Sequence, residues 1–341
     1  MSASTFRIDR TLADAFRTGN EPTGNGNSTY PSLTTTVPKE FVHRASVAEV
    51  MLTDWARHDD HRFTVTAQWP RGHSFYTNID DCHDPLIAAE TIRQAGILLA
   101  HAEFGVPLDR HFLVWDLAVS VRPEHMRVGW QPASLELGVT CSSVKRRGRE
   151  LSGFRVSVDI RRDGELAGTG GGSLACLQPA VYRRLRAPHL IEGARPRVIP
   201  LTAPVPPQTV GRSSPVDVVL SPAGRPHLWR LRVDTGHPVL FDHPLDHVPG
   251  MLLLEAARQA TAARLGRSYL PLDITSEFKR FTELDAPCLI EAERVAGSGS
   301  AHEQSRGGGR PPARAPGGVA PRIGAGRPRP AGGAPPPPAV C

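Results

Sequence analysis

One stretch of this chain is written twice. His83-Asp84-Pro85-Leu86-Ile87-Ala88-Ala89-Glu90-Thr91-Ile92-Arg93-Gln94-Ala95 returns as His247-Val248-Pro249-Gly250-Met251-Leu252-Leu253-Leu254-Glu255-Ala256-Ala257-Arg258-Gln259-Ala260, with Gly250 as the single insertion. The repetition extends outward. Arg44 to Leu52 matches Arg212 to Leu220 as R-x-S-x-x-[ED]-V-x-L, and Gly72-His73 answers to Gly236-His237. These landmarks keep offsets of 164–168 residues, which marks a duplicated domain and excludes a short solenoid repeat.

Each copy carries the same predicted layout. In the first, strands are expected at Val42–Leu52 and Phe63–Gln68, then an apolar helix from Pro85 to Glu103 that stops at Gly105 and Pro107. Alternating segments at Phe112–Arg122, Ser134–Ser143, Leu151–Arg161 and Glu165–Leu177 predict antiparallel strands around that helix. The second copy predicts strands at Val216–Leu220 and Leu228–Val233, a helix at Pro249–Leu265, and strands at Ile274–Phe281 and Cys288–Val295. Counterparts of Leu151–Leu177 are missing there, which predicts an unpaired sheet edge. The composition changes abruptly at that point, which fits a change of reading frame in GC-rich DNA better than a native tail.

From Gly297 onward the chain is almost wholly Gly, Pro, Ala, Arg and Ser, a composition unable to offset its own ordering entropy. Six arginines against Glu303 in that tail account for five of the six net positive charges, so the basic balance is no argument for a nucleic-acid surface. The five cysteines are scattered without zinc spacing and read as reduced thiols. With no signal peptide or spanning segment, a cytoplasmic location is expected.

The chemistry-bearing residues lie in the repeat. Glu90 with Arg93, and Glu255 with Arg258, stand three residues apart on one helical face, yet Met251–Leu254, Ala256 and Ala257 leave the second pair little solvated surface. A carboxylate in an apolar cleft has its pKa driven toward neutrality, where it can take a proton from an alcohol; Glu255 is expected to be that base. His83 and His247 precede the two helices, and His243 stands in Phe241-Asp242-His243-Pro244-Leu245-Asp246-His247. Pro244 argues against a helical i, i+4 metal pair there, so neither metal nor cofactor is called for. Amides at the helix start after Pro249-Gly250 can polarise a carbonyl. Gly168-Thr169-Gly170-Gly171-Gly172-Ser173 lacks a P-loop lysine and reads as a glycine bulge. Lys145-Arg146-Arg147-Gly148-Arg149 reads most simply as a solvated hairpin turn, with a docking patch for an acidic carrier protein as the alternative.

Phe41-Val42-His43-Arg44, Trp69 to His73, Glu90 to Gly96, His101 to Pro107 and Asp246 to Met251 together resemble the A-factor biosynthesis proteins of actinobacteria. The resemblance implies an α+β tandem double hotdog, in which a long central helix is wrapped by antiparallel sheet. Its domains fall at 36–186 and, truncated, at 210–296, joined by a Pro-rich linker at 187–209. Disordered segments are expected at 1–35 and 297–341. The implied activity is transfer of a β-ketoacyl group from an acyl carrier protein to the hydroxyl of dihydroxyacetone phosphate, toward γ-butyrolactone signals. The family's functional motif falls on Glu90, Glu255 and Arg258. Arg93, His243, His247 and Gly250 are the expected substrate contacts. Competing readings are a hotdog dehydratase or thioesterase, and a non-catalytic lactone-binding regulator; the latter finds no helix-turn-helix in its support. Fused hotdogs allow a monomer with an internal pseudo-dimer, or a homodimer. No membrane or nucleic-acid partner is expected.

Overall fold

A computed structural model describes residues 34–187 and 198–294, and the backbone of 319–325. In the first half, β1 (Leu52–Arg57), β2 (Arg62–Trp69), α1 (Pro85–Ala102), β3 (His111–Val121), β4 (Ala133–Arg147), β5 (Glu150–Arg162) and β6 (Glu165–Leu177) follow in order, and α2 (Pro179–Arg186) closes it. The second half holds β7 (Leu220–Arg225), β8 (Leu228–Leu231), α3 (Gly250–Leu265), β9 (Asp273–Glu277), β10 (Cys288–Arg294) and β11 (Val319–Ala325).

The antiparallel order β1-β2-β4-β5-β6-β3 wraps α1, and β9 from the second half adds to the β3 edge. A second sheet runs β11-β10-β8-β7 beside α3. This is the tandem hotdog. The wrapping explains why α1 is apolar nearly all round: every residue except Arg93 and Ala102 is buried. Asp84 caps its start by accepting from the Leu86 amide, with Pro85 in the first turn. In β4, Ala133, Leu135, Leu137, Val139 and Cys141 point inward on every second position.

Several expectations need correction. The R-x-S motif opens no strand. Ser46 and Ser214 accept from Ala48 and Val216 amides and cap short 3-10 turns, Val47–Glu49 and Pro215–Asp217, so the strands begin only at Leu52 and Leu220. The helix α2, before the linker, was not expected. The glycine run of β6 is not a bulge, because both neighbouring ladders keep register from Gly168 to Ser173. Within the stretch read as a disordered tail, Val319–Ala325 pairs with β10; the rest of that reading, with residues 1–33 and 188–197, lies outside the described residues. The edge expected to stay open beyond β10 is instead paired by β11, while among the described residues β9 pairs with β3 and not with the sheet of β10 and β11. No helix among them is long and apolar enough to cross a membrane.

The β6 glycines relieve crowding. A Cβ on Gly170 would lie within 2.5 Å of the Ala118 carbonyl oxygen and would strike Ile92 of α1. Gly170→Ala is expected to cost about 1–3 kcal/mol by overpacking, read as a lower midpoint of urea denaturation; an unshifted midpoint would refute the crowding.

Candidate active site

The repeated landmarks form one scaffold built twice. Gln94 accepts from the Met51 amide and donates to the Glu49 carbonyl and to Glu90. Gln259 does the same with Val219, Asp217 and Glu255. His73 Nδ1 accepts from the amides of Phe75 and Tyr76, and His237 Nδ1 from those of Val239 and Leu240. The Gly-His landmarks therefore hold turns.

At the centre of each copy sits a carboxylate between two guanidiniums. Glu90 is held by Arg93 at 2.8 Å and by Arg44 at 2.6 Å. Glu255 is held by Arg258 and Arg212, both at 2.7 Å. The clamps cross between halves. Arg44 also donates to the Val239 carbonyl and pairs with Asp242, while Arg212 donates to the Phe75 carbonyl. Burial alone would raise both glutamate pKa values, but the paired arginines outweigh it and hold each at about 2. The expectation of a near-neutral Glu255 is thereby corrected. Apolar neighbours predicted the burial, but Arg212, 43 residues away, supplies a second countercharge that local sequence does not show.

The two copies then diverge. A cavity of about 930 Å³ lies between the halves, lined by Arg44, Arg93, His43, His243, His247, Gly250, Met251 and a predominantly apolar remainder. Glu90, Glu255, Arg258 and His83 are not among its lining residues. Arg93 thus presents the Glu90 pair to the cavity, whereas Glu255 and Arg258 are sealed, at 0% and 5% exposure. His83 packs edge-on against Trp69, and burial lowers its pKa to about 4.

His243 and His247 have separate carboxylate partners. Each pairs with the preceding aspartate: His243 Nδ1 lies 2.5 Å from Asp242 Oδ1, and His247 Nδ1 2.8 Å from Asp246 Oδ1. Asp242 also accepts from the Ala45 amide and faces Arg44. Burial would raise its pKa, yet the His243 hydrogen bond and Arg44 hold it at about 2. Asp246 is bound by the Tyr182 hydroxyl and by Arg186, anchoring α2 beside the cavity.

The helix starts differ too. Asp84 caps α1, but α3 begins at Pro249 without a side-chain cap, and Gly250 and Met251 line the cavity. Amides in the first turn have no intrahelical acceptor, so this end of α3 offers donors for a carbonyl oxygen gaining negative charge. At the positions equivalent to Asp242 and His243 the first copy has Asn78 and Ile79. Sequence reasoning named His43 and Asp242 only within motifs and gave neither a role; aligning the two copies and reading their differences singles out both.

Residues 27–178 and 193–308 match the model of the A-factor biosynthesis hotdog domain. The chain is 54% identical over 275 residues to a 2-oxo-3-(phosphooxy)propyl 3-oxoalkanoate synthase of Streptomyces virginiae, covering 80% of this chain and 92% of that protein. It is 43% identical to synthases of the same name from Streptomyces coelicolor, over 75% of this chain and 81% of that one, and from Streptomyces griseus, over 74% and 84%.

Removing one partner of a buried ion cluster costs about 3–5 kcal/mol. Glu255→Gln is expected to lower stability by that order, measured by chemical denaturation; wild-type stability would overturn the clamp. Because both glutamates titrate below their unfolded value of 4.5, their contribution is complete above that pH and fades as pH falls toward 2. Thermal midpoints recorded across that range should fall with it.

Proposed function

The chain belongs to the A-factor biosynthesis hotdog family, and from that premise we propose that it is a 2-oxo-3-(phosphooxy)propyl 3-oxoalkanoate synthase. The donor in this reading is a 3-oxoacyl (β-ketoacyl) thioester on an acyl carrier protein, and the acceptor is the free hydroxyl of dihydroxyacetone phosphate. The observation that carries it is the convergence on one cavity of a carboxylate-supported imidazole, a guanidinium and an uncapped helix start.

The mechanism follows from the residue types. The acceptor hydroxyl oxygen attacks the thioester carbonyl, forming a C–O bond as the C–S bond breaks. Negative charge gathers on the carbonyl oxygen, where the first amides of α3, at Gly250 and Met251, are the donors at hand. Arg93, whose Nε and Nη2 are taken by Glu90, holds the acceptor's phosphate through the Nη1 end of its guanidinium. Glu90 is a positioning residue: it fixes Arg93 and, through Arg44, the Asp242–His243 pair. The hydroxyl proton leaves to an imidazole lone pair in the cavity, and His243, with Asp242 balancing its charge, delivers a proton to the departing sulfur. Glu255 and Arg258 serve this reading by locking the halves in register, and His247 by lining the acyl path. Holding two substrates together lowers the barrier without a covalent intermediate.

Mixing a defined 3-oxoacyl carrier thioester with dihydroxyacetone phosphate should give the phosphorylated ester by mass spectrometry; absence of ester from the wild-type chain would end the reading. His243→Asn should lower kcat by about 10²–10³-fold. Arg93→Ala should raise KM for the phosphorylated acceptor while leaving KM for unphosphorylated dihydroxyacetone nearly unmoved. Equal changes for the two acceptors would remove Arg93 from the phosphate.

A further inference from the structure

His43 lines the cavity and has no part in the steps assigned so far. It ends the 3-10 turn Lys39–Val42 in the left-handed region, at φ 52°, a conformation L side chains adopt at a cost. The second copy shows what the fold itself needs there. Its equivalent, Gly211, ends the turn Pro207–Val210 at φ 68° with the same backbone hydrogen bonds. Glycine meets that geometry without strain. The first copy instead carries an imidazole, on the side that faces the cavity, and strain retained at such a place points to function.

Hydrogen bonding fixes the tautomer. His101 Nδ1 lies 2.6 Å from the Val106 carbonyl oxygen, so that nitrogen bears the proton. Burial keeps the His101 ring neutral by lowering its pKa, which leaves its Nε2 as a lone pair. His43 Nε2 stands 2.9 Å from it and must donate, since two lone pairs cannot meet at that distance. The remaining nitrogen of His43, Nδ1, is then an acceptor. Phe112 packs against both rings and holds them in place. Burial first, then His101, Arg93 and His243, lower the His43 pKa to about 3, so the lone pair is free throughout the physiological range.

We infer that His43 is the proton acceptor for the attacking hydroxyl, with His101 behind it as a relay. The inference rests on the transfer reading and names the base that it leaves open. As the C–O bond forms, the hydroxyl proton moves to His43 Nδ1. The Nε2 proton of His43 shifts toward His101 Nε2, spreading the charge over two rings and compensating for the weak basicity of a buried imidazole. The C–S bond breaks, and protonated His243 at the more exposed position gives its Nε2 proton to sulfur. The two histidines regain their starting states by exchange with solvent after product leaves.

The test uses the full chain with the carrier thioester and dihydroxyacetone phosphate. His43→Gly installs the residue the repeat already uses, and His43→Asn keeps a donor toward His101 without a basic nitrogen. Both should lower kcat by about 10²–10⁴-fold, with the denaturation midpoint of at least one close to wild type. Added imidazole should restore turnover to His43→Gly and not to His43→Asn. Wild-type turnover by both variants, a loss in His43→Gly that imidazole does not relieve, or collapse of both midpoints would make His43 a packing residue and overturn the inference. Absence of ester from the wild-type chain would instead remove the transfer reading beneath it.

Discussion

A glutamate buried between two arginines is the interaction on which this molecule depends. Taking a carboxylate out of water is costly unless the countercharge is close and every lone pair is occupied. Glu255 accepts from Arg212, Arg258 and Gln259, and Glu90 from Arg44, Arg93 and Gln94. One arginine in each set comes from the central helix and the other from the segment entering the domain. That second arginine also grips backbone of the opposite half. The same ions therefore seat the helix, place the entering segment and join the halves.

On this shared frame the two copies differ beside the cavity. Gln94 and Gln259, His73 and His237, and Ser46 and Ser214 perform identical tasks. Where the copies part, His43 stands against Gly211, and Asp242-His243 against Asn78-Ile79. Asp84 caps one helix while the other starts open. Each departure leaves a proton-handling group or an exposed donor beside the cavity. A duplicated fold can keep its frame in both copies and let each contribute different groups to one shared cavity.

The fold was largely legible because its signals are local or periodic. The two central helices, α1 and α3, begin at or within a residue of their expected starts, and β6 spans the expected residues. Errors arose where a polar side chain redirected the backbone, as Ser46 and Ser214 do. The candidate site was half legible. Charge inside apolar sequence correctly marked Glu90 and Glu255 as buried. What covers a buried charge is a long-range fact, and Arg44 and Arg212 lie more than forty residues from the glutamates they neutralise. The depressed pKa values could not be read from the helix alone.

The placement of β9 has a consequence for how the molecule is made. That strand hydrogen-bonds to β3 of the first half, from Asp116 opposite Glu277 to Ser120 opposite Asp273. Chains emerge from the ribosome N-terminus first, and domains tend to fold as they appear. The leading half, with its six-stranded wrap already closed, would offer the β3 edge as a template before the trailing half is complete. Maturation of this protein would then be vectorial, with the earlier-made module acting as an intramolecular chaperone for the later one.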